Sequence, residues 1–253
     1  MTFTILSPYQ IFFIDETEKL WTVLKDGRVR FVKSVPAFTN ICADRQMFSG
    51  VEFDGEHTLV LSLPFGFSED KPQKILTLFG YYYYPTLFRK KHSKLALLKA
   101  DLLNHAGTAD LIIYEKARTK FHPQVKLAAK IVAPKWEANT QLLYYITAKG
   151  ALARTNGKTG EKLAQNADLF CLNYSGTLMA YYEGEYIYII SLQTGNTHKI
   201  MAFNVTALGF GVNDDDLFFA SSNGDTHMIQ RYNKQTDEVN LIARSACAVK
   251  MIV

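Results

Sequence analysis

Thr177-Leu178-Met179-Ala180-Tyr181-Tyr182, then Glu183-Gly184, then Glu185-Tyr186-Ile187-Tyr188-Ile189-Ile190-Ser191-Leu192, then Gln193-Thr194-Gly195: two runs rich in β-branched and aromatic residues, each closed by a short turn. Such side chains suit the pleated, half-buried surface of a strand. The glycines supply the positive φ that a tight hairpin demands. The same pattern precedes this stretch. Leu142 to Ile146 is followed by the turn Ala148-Lys149-Gly150, a second run, Asn156-Gly157-Lys158-Thr159-Gly160, and a short third strand. It also follows, as Asp216 to Ala220, the turn Asn223-Gly224, Thr226 to Tyr232, and the turn Gln235-Thr236-Asp237.

The second turns of these units fall at Gly160, Gly195 and Asp237, spaced by 35 and 42 residues. Weaker copies in the first half turn near Asp26-Gly27, near Glu69-Asp70 and at His105-Ala106-Gly107. From Gly27 to Asp237 the five intervals average 42 residues. A repeat of four short strands takes roughly 40–45 residues. One such sheet cannot bury both its faces, so the sheets must stack. The chain opens with Pro8 to Ile14, a second strand without a first. It ends with Ala246-Cys247-Ala248-Val249-Lys250-Met251-Ile252-Val253, a strand with no hairpin after it. The tail can supply the missing strand and remove a sheet edge. The interval from Gly107 to Gly160 is long, so an extended loop is expected from Ala117 to Pro134, including His122-Pro123. A break into two domains near Pro134 is the alternative.

This arrangement of strand, Asp/Asn-Gly, strand, Lys-Thr-Gly, strand resembles the broad β-propeller superfamily over nearly the whole chain. The resemblance implies an all-β fold: a single β-propeller domain over residues 1–253, with about six blades. The C-terminal strand completes the first blade, and residues 246–253 close the ring by pairing with the N-terminal blade. These motifs are signals of fold only, so function has to be argued from particular residues.

The 253 residues are 48% hydrophobic and 13% aromatic, with a net charge of +4. The basic residues are mostly dispersed, which does not suit a dedicated nucleic-acid binder. Cys42, Cys171 and Cys247 are odd in number and lack metal-ligand spacing, which fits a reducing compartment. No basic segment leads into an apolar core at the N-terminus, and no uninterrupted apolar stretch approaches membrane-spanning length. A cytoplasmic protein without a membrane partner is the expectation. The triplets Asn173-Tyr174-Ser175 and Asn204-Val205-Thr206 matter only in a secreted chain.

Small polar residues recur just before the first strands of the repeats: Asn40, Asn166, Asn204 and Ser245. At a propeller's blade junctions they would lie on the channel rim, either binding a ligand or satisfying turn backbone. The stretch Phe79-Gly80-Tyr81-Tyr82-Tyr83-Tyr84-Pro85-Thr86-Leu87-Phe88-Arg89-Lys90-Lys91-His92 is the most unusual. Alternation sets Tyr82 and Tyr84 on one face and Tyr81 and Tyr83 on the other. One pair packs between blades and the other is free for contact. Tyrosine beside arginine is the composition of interface hot spots, so Tyr82, Tyr84, Arg89 and Lys90 are candidate partner contacts. Stacking on single-stranded nucleic acid is the competing use of the same mixture.

Catalytic and metal signals are weak. The six histidines show no HxH or HExxH spacing, no nucleophile elbow or phosphate loop is present, and Asn213-Asp214-Asp215-Asp216 lacks the pattern of a calcium loop. No catalytic residue, metal site or cofactor is assigned. The leading expectation is a non-catalytic protein-binding propeller, in one version an inhibitor or immunity-type protein that neutralises a toxin or enzyme. The overall basic charge favours a partner with an acidic surface. The alternative is a hydrolase, lactonase or lyase with a channel-mouth site, using Asn40, Asn166 and Asn204 with Asp44 and Asp168.

Overall fold

The computed structural model of the chain describes residues 9–24, 26, 28–34, 39–43, 47–64, 71–88, 94–100, 107–137, 140–211 and 216–252. Its strands form six four-stranded antiparallel sheets, the blades of a β-propeller. Blade 1 combines β1 (Tyr9–Asp15), β2 (Lys19–Leu24) and β3 (Val29–Ser34) with the last strand of the chain, β24 (Val249–Ile252), in the order β24-β1-β2-β3. Blade 2 holds β4 (Thr39–Ala43), β5 (Met47–Phe53), β6 (His57–Pro64) and β7 (Gln73–Phe79). Blade 3 holds β8 (Tyr81–Phe88), β9 (Lys94–Ala100), β10 (Thr108–Ala117) and β11 (Lys120–Lys130). Blade 4 holds β12 (Lys135–Trp136), β13 (Leu143–Ile146), β14 (Leu152–Thr155) and β15 (Gly160–Ala164). Blade 5 holds β16 (Leu169–Leu172), β17 (Leu178–Glu183), β18 (Tyr186–Ser191) and β19 (Thr197–Met201). Blade 6 holds β20 (Val205–Phe210), β21 (Leu217–Asn223), β22 (Thr226–Asn233) and β23 (Glu238–Ser245).

The blades group into two compact units divided after Val35 and after Ala167. In the unit of blades 5, 6 and 1, the period of two decides the packing. Ile187 and Ile189 point with Cys171 and Ala180 toward Leu208, Phe210, Phe219 and Tyr232 of blade 6. The other face of blade 6, with Phe218, Ala220 and Ile229, meets Ile11, Phe13, Val23, Val249 and Ile252 of blade 1. In the unit of blades 2, 3 and 4, Leu95 and Leu97 of β9 pack with Tyr82 and Tyr114 against Val51 and Val60 of blade 2. Ala96 and Leu98, on the opposite face of the same strand, meet Leu143, Tyr145 and Ala153 of blade 4. A large apolar side chain buried in this way contributes roughly 1.5–3 kcal/mol.

The extended loop expected from Ala117 to Pro134 is instead a long hairpin. β10 and β11 pair from Thr108↔Lys130 to Ala117↔Lys120, with an irregularity where Tyr114 opposes Pro123. Proline donates no ladder bond, and β11 is an edge strand, so Pro123 fits there. The extra length of this repeat has gone into its strands. The register shift there turns Phe121 toward the blade 2 side, whereas Val125, Leu127 and Ala129 face blade 4.

The C-terminal strand completes blade 1 through the pairs Phe13↔Ile252 and Ile14↔Met251. Glu16 N donates to the Ala248 carbonyl at 3.0 Å, and Lys250 forms an ion pair with Glu18. In blade 6, a Cβ placed on Gly209 would lie 2.5 Å from Ile252 Cγ2 and 2.9 Å from Ile252 O, so only glycine lets β20 approach this strand. The turn joining β1 to β2 is held by Asp15, which is 2% exposed. Its Oδ1 accepts from Thr17 N at 2.9 Å, Thr17 Oγ1 at 2.8 Å and Lys19 N at 3.0 Å, and its Oδ2 from Trp21 Nε1 at 2.8 Å. Burial alone would raise this carboxyl's pKa, but the hydrogen bonds from Lys19, Thr17 and Trp21 together outweigh it and hold the group below its ordinary 3.8.

Two stability outcomes follow from blade 1. Gly209→Ala should lower stability by about 1–3 kcal/mol through overpacking against Ile252, read as a lower denaturant midpoint. Asp15→Ala should cost on the order of 2–3 kcal/mol by stranding its donors. Because the folded pKa of Asp15 is depressed, its contribution is fully present above pH 3.8 and is lost as pH falls through the folded value. Wild type and Asp15→Ala should therefore converge in stability in acid, which denaturant titrations across pH would show.

Candidate functional site

Between β7 and β8 the chain has one residue, Gly80, at φ +95°. Its N–H donates to the Glu56 carbonyl at 2.8 Å, and its own carbonyl accepts from Thr58 Oγ1 at 2.6 Å. The junction is thereby fastened to the turn between β5 and β6. Asp54 shapes that turn by accepting from His57 N at 2.7 Å and Glu56 N at 3.0 Å. These backbone bonds, His57 first, hold the Asp54 carboxyl below its ordinary pKa.

The fastened junction leaves Phe79 68% exposed. His57 meets it edge-on at 5.8 Å. Across Gly80 the aromatic run continues: Tyr81 lies edge-on to Phe53 at 4.8 Å and to Tyr83 at 4.6 Å, and Tyr83 meets Tyr84 at 6.3 Å. Burial, and then the neighbouring Tyr81, raise the pKa of the Tyr83 phenol. The turn sets the exposed carboxylates of Asp54 and Glu56 beside His57, whose Nδ1 lies 3.6 Å from Glu56 Oε2 and 4.0 Å from Asp54 Oδ2. The result is an exposed aromatic ring on a hydrogen-bonded junction, next to a turn that carries two exposed carboxylates.

The expected contacts distribute differently. Tyr82 is 4% exposed and packs between blades 2 and 3, with the Lys99 ammonium 5.7 Å from its ring centroid. Tyr84 does not share that face. Its φ is +45°, and the register of β8 against β9 shifts between Tyr83 and Thr86, so the alternation breaks there and Tyr84 packs half-buried against the blade 3–blade 4 cluster. Arg89 and Lys90 lie outside the described residues. The aromatic surface thus centres on Phe79 and Tyr81, and the signal for it was the aromatic residue immediately before a junction glycine.

The unit of blades 5, 6 and 1 repeats this construction. Between β19 and β20, Ala202 N donates to the Glu185 carbonyl at 2.9 Å, which fastens the junction to the turn Glu183-Gly184-Glu185. Asn204 takes φ +50°, and its carbonyl accepts from Ser222 N at 3.1 Å. Phe203 is 53% and Met201 59% exposed, and Glu185 and Asp225 on the adjoining turns are exposed as well. The sequence reading passed over Phe203, although Phe203-Asn204 matches Phe79-Gly80 as an aromatic followed by a left-handed residue.

The small polar junction residues lie as follows. Asn40 is on β4, Asn166 is exposed between β15 and β16, and Asn204 shapes its turn. Ser245 Oγ donates to the Cys247 carbonyl at 2.6 Å and accepts from Cys247 N at 3.3 Å, so it serves the local turn. Asp168 is exposed, and Asp44 lies outside the described residues. Among the described residues no three of His, Cys, Asp and Glu converge to hold a metal.

A cavity of about 70 Å³ is lined by Cys42, Met47, Ser49, Thr86, Leu87, Lys135 and Trp136. The irregularity at Tyr84-Pro85 aims carbonyls at this region: Pro85 O accepts from Ser49 Oγ at 2.5 Å, and Thr86 O from Trp136 Nε1 at 3.1 Å. Pockets for small-molecule ligands run to roughly 300–1,000 Å³, so this space suits a few waters. Cys42 and Cys171 are buried on the first strands of blades 2 and 5, whereas Cys247 is half-buried just ahead of β24. A thiol reagent should modify Cys247 rapidly in the native protein and reach the other two only on unfolding. Cys247→Ser should remove the fast phase of a colorimetric thiol titration.

No family model and no curated protein matches the chain. Solved structures do. TolB from Acinetobacter baumannii superposes with a TM-score of 0.68 at 13% identity over 96% of this chain. The present chain spans 65% of the TolB chain. A chain of a nidogen/laminin complex gives a TM-score of 0.66 at 10% identity, covering 96% of this chain and 97% of that one. An oligogalacturonate lyase in complex with manganese gives 0.50 at 13% identity, covering 84% and 70%. At these identities the likeness is one of fold.

Proposed function

We propose that this six-bladed β-propeller is a non-catalytic protein-binding module of the cytoplasm, residues 1–253 forming one domain, and that Phe79 and Tyr81 anchor its partner. The observation that carries this reading is the exposure of Phe79, 68% open on a junction whose backbone is fixed by hydrogen bonds on both sides of Gly80. An aromatic side chain presented from rigid backbone gives up little conformational entropy on binding, which is why such residues dominate interface energetics. The neighbour from a nidogen/laminin complex belongs to a protein–protein assembly, which accords with this use of the fold. An inhibitor or immunity-type protein that caps a toxin or enzyme is one specific form of the proposal, and a compact binder suits it.

A hydrolase, lactonase or lyase is the second reading. The observation in its favour is the likeness to the manganese-bound lyase.

Affinity capture from the native host, with wild type and single variants as bait, tests the binding reading. Wild type should retain a stoichiometric protein. Phe79→Ala should weaken the complex by about 2 kcal/mol, roughly thirty-fold in Kd. Phe31→Ala, which truncates an exposed aromatic on β3 of the other unit, should leave the complex intact. Equal capture by Phe79→Ala, or no stoichiometric protein at all, counts against the proposal.

A further inference from the structure

We propose that the partner offers a basic, not an acidic, surface: apolar side chains interspersed with lysine or arginine that reach the carboxylates beside the exposed aromatics. This rests on the protein-binding reading and specifies the chemistry of the same site. The chain as a whole carries a charge of +4, which by itself points to an acidic partner. The charge around the exposed aromatics has the opposite sign. His57, which meets the Phe79 ring edge-on, lies beside the carboxylates of Asp54 and Glu56, whose side chains are 58% and 68% exposed. Lys99 crosses Gly80 and turns its ammonium toward the ring of Tyr82.

The arrangement occurs twice, in blades of different units. Phe203 and Met201 are exposed on a junction fastened to Glu185, with Asp225 on the turn after β21. In both places the backbone carbonyl of a turn glutamate, Glu56 or Glu185, accepts the bond that fixes the junction. In both places an exposed phenylalanine and an exposed glutamate thus flank the same backbone hydrogen bond. A guanidinium suits this pair, because it can hydrogen-bond a carboxylate and lie over a neighbouring ring. An acidic partner would set like charges against each other at the points of closest contact, which is costly.

The test uses the full chain and two synthetic twelve-residue peptides in fluorescence anisotropy, one alternating arginine with phenylalanine and the other with glutamate replacing every arginine. The arginine peptide should bind, and its affinity should fall as salt is raised. Glu56→Lys should weaken it at least ten-fold, Glu56→Gln less, and Phe79→Ala at least ten-fold. The side chain of Glu56 does not build the turn, so its variants should fold, and an unchanged thermal melt would verify this. The glutamate peptide should not bind wild type. Binding of both peptides alike, binding of neither, or indifference to Glu56→Lys would overturn the proposal. If Phe79→Ala abolishes binding while Glu56→Lys does not alter it, the interface stands and the basic partner falls. If Phe79→Ala has no effect, the interface itself is lost.

Discussion

Ile187 and Ile189 face one way along β18 and Tyr186 and Tyr188 the other, and this alternation obliges a sheet to find neighbours on both sides. β9 shows the same constraint in its strongest form. Its Leu95 and Leu97 belong to one packed layer and its Ala96 and Leu98 to another, so the strand reads as a continuous apolar run. A lone four-stranded sheet of this kind would expose an apolar face to water. Stacked sheets bury both faces, and each blade becomes a condition for the stability of the next.

The exposed aromatic surface is a by-product of the same geometry. Stacking consumes the flat faces of the sheets and leaves their ends, where junctions and turns must satisfy backbone groups without a ladder. Gly80 and Asn204 solve this by adopting left-handed conformations and tying the junctions to neighbouring turns. The residue before each is then turned outward. Phe79 and Phe203 owe their exposure to backbone hydrogen bonding, which is why they can be large, apolar and rigid at once.

Much of the architecture was legible in the residues. Glu183-Gly184, Asn223-Gly224 and Ala148-Lys149-Gly150 are real turns with glycines at positive φ, and the tail strand does pair with β1. The long hairpin reads as a loop because of His122-Pro123, whereas an edge strand tolerates proline, and the irregularity beside Pro123 moves the apolar positions from one face to the other. The site was legible only in outline. The run Phe79 to Tyr84 stood out, but which of its aromatics faces water depended on a break in alternation at Tyr84-Pro85, and a local backbone irregularity has no periodic signature. Net charge carries no such local detail either: it is a sum over the chain and does not register the two exposed carboxylates gathered beside His57 on one turn.

The pairing of β24 with β1 also has a consequence in time. Ribosomal synthesis delivers Phe13 and Ile14 long before their partners Ile252 and Met251. Until β24 emerges, the opening hairpin has an unzipped edge, and the greasy side of Phe13 lacks part of its cover. The nascent polypeptide must wait, or be chaperoned, with its first sheet incomplete until that strand arrives.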